Sequence, residues 1–140
     1  MLRKVACLFV IAFVIGPVML IAQNASKEKA AVASAEKWLG LVDQGEYAES
    51  WKDAATFFRN NVTEEKWEHA MLGMRKPLGK LVSRKLKTSA YETSLPGAPD
   101  GEYVVMRFDS SFADKKSAVE TVTTVLSKDG KWKAVGYFIR

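Results

Sequence analysis

The chain has 140 residues, 48% of them hydrophobic, and a formal charge of +5; that length supports one domain and excludes two comfortable ones. Removing Arg3 and Lys4 from the 21 basic residues leaves 19 against 16 acids, a surplus of about 3 that does not point to nucleic acid. The single cysteine, Cys7, lies in an apolar run and reads as filler, so the rest of the chain has no disulfide, thiol nucleophile or cysteine metal ligand.

The chain starts with the basic "MLRK", followed by Val5 to Ala22 without a charge. This is the pattern of a secretory signal, and the run is also just long enough to span a bilayer. Two outcomes are expected: cleavage near Ala22 or Ala25, or retention of residues 5–22 as an inner-membrane anchor. Residues 1–25 are then a leader. Residues 26–140 form one domain outside the cytoplasmic membrane, in the periplasm or cell envelope, tied to the membrane only if the leader is retained.

From Ser26 to Val42, Ala31, Val32, Ala35, Trp38, Leu39 and Val42 recur at helical spacing. Gly45 in "DQG" ends this helix. A second helix is predicted from Glu46 to about Phe58, with Tyr47, Trp51, Ala54, Ala55 and Phe58 on one face. Thr63 is a good N-cap for a third helix, with Glu64 and Glu65 in its first turn, where the helix dipole favours acids. Trp67, Ala70, Met71 and Met74 form its stripe, and Pro77 and Gly79 stop it.

The pattern then turns extended. "KLVSRKLKTSAYETS" is a strand, "LPGAPDG" a loop with tight turns, and "EYVVMRFDSSF" a second strand. "ADKK" turns into the β-branched strand "SAVETVTTVLS". "KDGK" reads as a two-residue Asp-Gly hairpin that returns into "WKAVGYFIR". In that register Lys128 pairs with Lys131, Val125 faces Ala134, Thr123 faces Gly136 and Glu120 faces Ile139. Three helices followed by a four-stranded antiparallel meander argue for an α+β fold with the helices on one face of the sheet.

The segments "WLGLVDQGEYAESW", "FRNNVTEEKW", "RKPLG", "LPGAPDGEYVVMRF", "AVETVT" and "DGKWKAVGYFIR" together resemble an exported bacterial domain-of-unknown-function family, number 4019 (DUF4019). The resemblance covers Ala33 to Arg140. It implies a nuclear-transport-factor-2-like or cystatin-like fold, a helical layer cradled by a curved sheet. It implies no chemistry, because the family brings no catalytic residues to carry over.

His69, the lone histidine, lies off its helix stripe and is expected in solvent. With no second histidine, no aspartate-rich calcium loop and no phosphate-loop glycine spacing, no cofactor or metal is expected. Trp38, Trp51 and Trp67 sit on helix stripes and read as core, with a ligand-stacking platform as the alternative. Within the strands, Arg107 and Glu120 are the polar residues best placed for a ligand site, each the other's natural partner if either is buried. Tyr137, Thr123 and Trp132 complete this ligand-binding set, and Ala134, Gly136 and Thr123 leave room for close helix approach or a small pocket. Arg75, Lys76, Lys80, Arg84, Lys85 and Lys87 form a basic run without an intervening acid. They either protect an edge strand or meet an anionic surface.

The last hairpin is apolar on two sides. Val122, Val135, Tyr137 and Ile139 lie on one side, Trp132 and Phe138 on the other, so a homodimer through the sheet face is one expected cover. Three functions follow: a non-enzymatic module for a small ligand or an envelope protein, an enzyme with Glu120 as acid or base, or a protein that touches anionic envelope surfaces.

Overall fold

The computed structural model describes residues 17–140. The basic start, Cys7 and most of the uncharged run Val5 to Ala22, on which the expected leader falls, lie outside the described residues. Among the described residues no helix is long and apolar enough to cross a membrane. The elements are α1 (Pro17–Asp43), α2 (Tyr47–Asp53), α3 (Thr56–Asn61), α4 (Glu64–Arg75), a 3-10 turn (Lys76–Leu78), β1 (Leu81–Glu92), β2 (Tyr103–Phe112), β3 (Lys115–Leu126) and β4 (Trp132–Ile139). The strands form one antiparallel meander in the order β1-β2-β3-β4.

The expected amphipathic helix is present and extends further toward the N-terminus. Ala31, Ala35, Trp38, Leu39 and Val42 are buried along one face of α1. The helix lies across all four strands. Its first turns carry Val18, Met19, Leu20 and Ile21 in solvent.

The predicted second helix is two. Ala54 and Ala55 are extended between α2 and α3, with ψ near 163° and 150°. The cause is the sheet: the Ala55 N–H donates to the Ala134 carbonyl at 2.8 Å. Two buried alanines let the backbone come close enough to make that bond, which also occupies a carbonyl on the β4 edge. Among the described residues there are therefore four α-helices where three were expected, and a 3-10 turn follows α4.

Thr63 caps α4 as its sequence position predicts, accepting from the Lys66 N–H at 3.3 Å. Thr63→Ala is expected to cost about 1 kcal/mol in urea unfolding, the usual size of a lost cap; a loss indistinguishable from zero would show that this contact does not hold the helix end.

The closing hairpin corrects its prediction at the turn. A two-residue type I′ turn needs positive φ at both central residues. Only Gly130 has it, at 81°, and no non-glycine residue does among those described. The loop is therefore one residue longer: the Ser127 N–H donates to the Lys131 carbonyl, and the Gly130 N–H to the Ser127 carbonyl. Lys128 does not pair with Lys131, and Val125 faces Lys133 while Thr124 faces Ala134.

A register shift between Thr123 and Thr124 absorbs the extra residue, leaving Val135 unpaired. Beyond it Thr123↔Gly136 and Glu120↔Ile139 pair as predicted. This bulge also reverses the side-chain parity of β4. Trp132, Ala134 and Tyr137 thus join Val122 in the core beneath the helices, and the two apolar faces expected of the hairpin reduce to one. Phe138, half-exposed, remains on the outer face. The other sheet edge, β1, is broken by two register shifts and carries exposed Lys85 and Lys87, devices that discourage pairing with other chains.

Candidate functional site

The polar centre of the molecule lies where α1 ends over the sheet. On the helix-facing side of β2, Ser110 continues the row Val104, Met106 and Phe108. Glu120 lies on the same side of β3 and Tyr137 on that of β4; Arg84 comes from β1, opposite Ser110. Glu120 is fully buried. Its carboxylate accepts from Arg84 Nε (2.7 Å) and Ser110 Oγ (2.5 Å) on one oxygen, and from Arg84 Nη2 (3.0 Å) and Tyr137 Oη (2.6 Å) on the other. Those bonds fill the roughly four acceptor positions of a carboxylate.

Arg84 also grips the end of α1. Its Nη1 and Nη2 donate to Asp43 at 2.7 and 2.9 Å, a bidentate pair. Asp43 accepts a third bond from Arg75 Nη2 at 2.8 Å. The Arg75 guanidinium lies 4.9 Å from the Phe112 ring centre, and its Nε and Nη1 are buried without an acceptor. Two cations and two anions thus lock α1, α4, β1 and β3 together with no net charge.

The environment sets the titration of these groups. Burial pushes the Asp43 carboxyl upward, but the hydrogen bonds from Arg84 and Arg75 outweigh it, and it titrates below its ordinary range. Burial disfavours the charge on Arg84, yet the bonds to Asp43 and Glu120 hold its proton more firmly than usual. Burial, then the Glu120 charge and hydrogen bond, push the Tyr137 phenol well above its ordinary value.

A lowered carboxyl adds stability above its unfolded value near 3.9, and that stability is lost as pH falls through its lower folded value. A raised phenol adds stability below its unfolded value near 10, and that stability is lost as pH rises further. Urea unfolding should therefore show a plateau between about pH 4 and 10 with losses on both sides. Above pH 10, the phenolate absorbance that appears with unfolding should be smaller in Tyr137→Phe than in the wild type by about one tyrosine's share; ionisation of Tyr137 in the folded chain near pH 10 would contradict this geometry.

The structure redistributes the residues singled out from the sequence. Arg107 is exposed on the outer face and does not meet Glu120: it is an odd step from the inward row of β2, so strand parity turns it away. The partner of Glu120 is Arg84. Thr123 is half-buried on the outer face beside Gly136. Trp132 is buried and lines a groove of about 500 Å³ between α1 and the β3–β4 hairpin.

The basic run does not present one surface. Arg75 and Arg84 turn inward to Asp43, while Lys76, Lys80, Lys85 and Lys87 stay exposed. Lys87 reaches Asp109 at 3.6 Å. His69 is exposed, as expected.

Asp43 and Ser110 were not singled out from the sequence. Ser110 had a visible signal, a small polar residue at an inward position between Phe108 and Phe112. Asp43 follows the last apolar residue of α1 and looks like an ordinary helix-end acid.

The expected pocket between helices and sheet is filled. Trp38, Phe58, Trp67 and Tyr137 meet edge to face or tilted, with ring centres 5.1 to 6.5 Å apart. The gap they leave against Ala54, Ala134 and Gly136 does not admit a water molecule. Above the ionic cluster the surface opens into a groove of about 390 Å³ bordered by Asp43, Tyr47, Arg75, Lys76 and Lys80.

No curated protein matches the chain. Residues 34–137 match the family described as "Protein of unknown function (DUF4019)". That match spans the end of α1, the helical layer and all but the last residues of the sheet, and the chain belongs to this family.

Proposed function

We propose that the chain is an exported module of the bacterial cell envelope that binds its partner or ligand through its surface, without catalysing a reaction. The observation that carries this reading is the commitment of the interior. Glu120, the strand carboxylate best placed to act as acid or base, accepts four hydrogen bonds and is tied to Arg84. The aromatic space beside it has no room for a water molecule. A substrate would have to break the ion pair that joins α1 to the sheet before reaching this carboxylate. Export is supported by the basic start and the uncharged run Val5 to Ala22.

The fold reading that accompanies this function is nuclear-transport-factor-2-like or cystatin-like. A long helix laid across an antiparallel meander supports it. Such folds carry many functions, so the surface, not the fold, bears the argument.

Two measurements test the proposal. Fractionation of bacteria expressing the full chain should place it in the envelope or periplasm; recovery from the cytosol would refute export. A thermal-shift screen against cell-wall fragments and small periplasmic metabolites should raise the midpoint by mass action for a surface ligand. Turnover of a bound compound, abolished by Glu120→Gln in a folded protein, would overturn the non-enzymatic reading.

A further inference from the structure

The groove above the ionic cluster differs in charge from the cluster itself. Within the cluster Asp43 and Glu120 balance Arg75 and Arg84. Lys76 and Lys80, at the groove's rim, are exposed and take part in no ion pair among the described residues. Every acid of the chain is among the residues described. Asp114 borders this wall: its Oδ2 would lie 2.7 Å from a Cβ built on Gly79. Asp114 makes no ion pair with either lysine.

Arg75 adds a second, independent observation. Its side chain is only 5% exposed, yet it lines the groove, and two of its nitrogens, Nε and Nη1, are buried without an acceptor. Buried donors normally find partners, and an unpartnered one marks a place where a partner is missing. The guanidinium is held by Asp43 on one nitrogen and by the Phe112 ring, so its charge stays fixed beneath the groove. Gly79 holds the wall in place. Its φ of 73° is a left-handed conformation that favours glycine, and it turns the chain between Lys76 and Lys80, both of which line the groove.

We propose that this groove binds a phosphate group presented by an envelope molecule. The proposal rests on the surface-binding reading and gives it a site and a ligand class. Lys76 and Lys80 supply the two uncompensated charges, Arg75 the fixed cation beneath them, and Tyr47 a wall bordering the same groove. Two lysines match the charge of one phosphate at neutral pH. The open shape of the groove suits a group carried at the end of a larger molecule or on a lipid headgroup.

The test compares three forms of the full-length chain in neutral-detergent micelles: wild type, Lys76→Gln/Lys80→Gln, and Lys85→Gln/Lys87→Gln on the β1 edge. The thermal midpoint is followed while inorganic phosphate is added, and in a second arm while phosphatidylglycerol is mixed into the micelles. At phosphate about 100 times its dissociation constant, the wild-type midpoint should rise by about 10 °C. The β1-edge variant should follow it, and the groove variant should lose the rise. The general salting effect of phosphate is common to all three forms and is subtracted by the groove variant.

A rise confined to phosphatidylglycerol, with the same variant pattern, supports the site and identifies a headgroup as its source. A rise lost in the β1-edge variant but kept in the groove variant overturns the groove while surface binding stands. No response in either arm overturns the groove; surface binding is then judged by fractionation and the fragment screen alone.

Discussion

Arg84→Met should cost about 3–5 kcal/mol, the largest single loss among the polar residues of this domain. Arg84 is the one side chain that touches both acids of the cluster, with two bonds to Asp43 and two to Glu120. Methionine fills much of the same volume, so the loss comes from stranding charge. Glu120 would remain fully buried with only Ser110 and Tyr137 as donors. Asp43 would keep Arg75, so its share of the loss is smaller. Small domains have only about 5–15 kcal/mol of stability in all, so the variant should sit near the edge of folding. Adding Glu120→Gln should recover roughly half the loss, because the amide carries no buried charge, its oxygen accepting from one hydroxyl while its NH2 donates to the other. Urea unfolding of the single and double variants at pH 7 measures both effects. A single-variant loss below about 1 kcal/mol would mean the ion pairs are solvated rather than closed.

Trp38→Ala should cost a comparable amount, about 3–5 kcal/mol, by a different route. Trp38 is 3% exposed, on the buried face of α1. Its ring is 6.0 Å from Trp67 and 5.7 Å from Tyr137, so it fills the junction of α1, α4 and β4. Its Nε1 donates to the Ser50 carbonyl at 2.8 Å, while Trp67 Nε1 donates to the Ser50 hydroxyl at 2.9 Å. Alanine removes the ring, leaves a cavity and strands a buried carbonyl together. Trp38→Phe should lose less, since most of the apolar area stays and only the hydrogen bond goes. The comparison, followed by circular dichroism because tryptophan fluorescence itself changes, separates packing from bonding. Equal losses in the two variants would place the whole effect in the bond.

The sequence made the periodic parts of this fold legible. The stripe from Ala31 to Val42, the Thr63 cap and the meander all follow from local pattern, and all are found. The errors arise where a tertiary bond decides. Nothing in the "WKDAATFF" run announces a break at Ala54 and Ala55; the break exists because the Ala134 carbonyl lies within reach. The Asp-Gly turn failed by one residue because Asp129 stays at negative φ, and the bulge at Val135 then hid the error further along the hairpin.

The cluster was half legible. Glu120 stood out as a charge among β-branched residues, and Tyr137 beside it. Its true partner did not, because Arg84 sits in a lysine-rich strand whose pattern reads as solvated, and Arg107 was nearer in apparent register. Two irregular steps in the pairing of β1 with β2 blurred the alternation that would have turned Arg84 inward on paper.

The ionic cluster has a kinetic consequence. Its bonds join residues 36 and 41 positions apart, across α1, β1 and β3. Closing such contacts requires the meander to be nearly complete, because loop-closure entropy must be overcome before distant pairs can form. The lock should therefore form after the rate-limiting step of folding and open early in unfolding. Arg84→Met should steepen the population of the unfolded chain almost wholly by accelerating unfolding, at little change in the refolding rate in stopped-flow chevrons. A slower refolding limb would place Asp43, Arg84 and Glu120 in the folding nucleus instead. This buried set of charges would then act as a latch on the lifetime of the folded state.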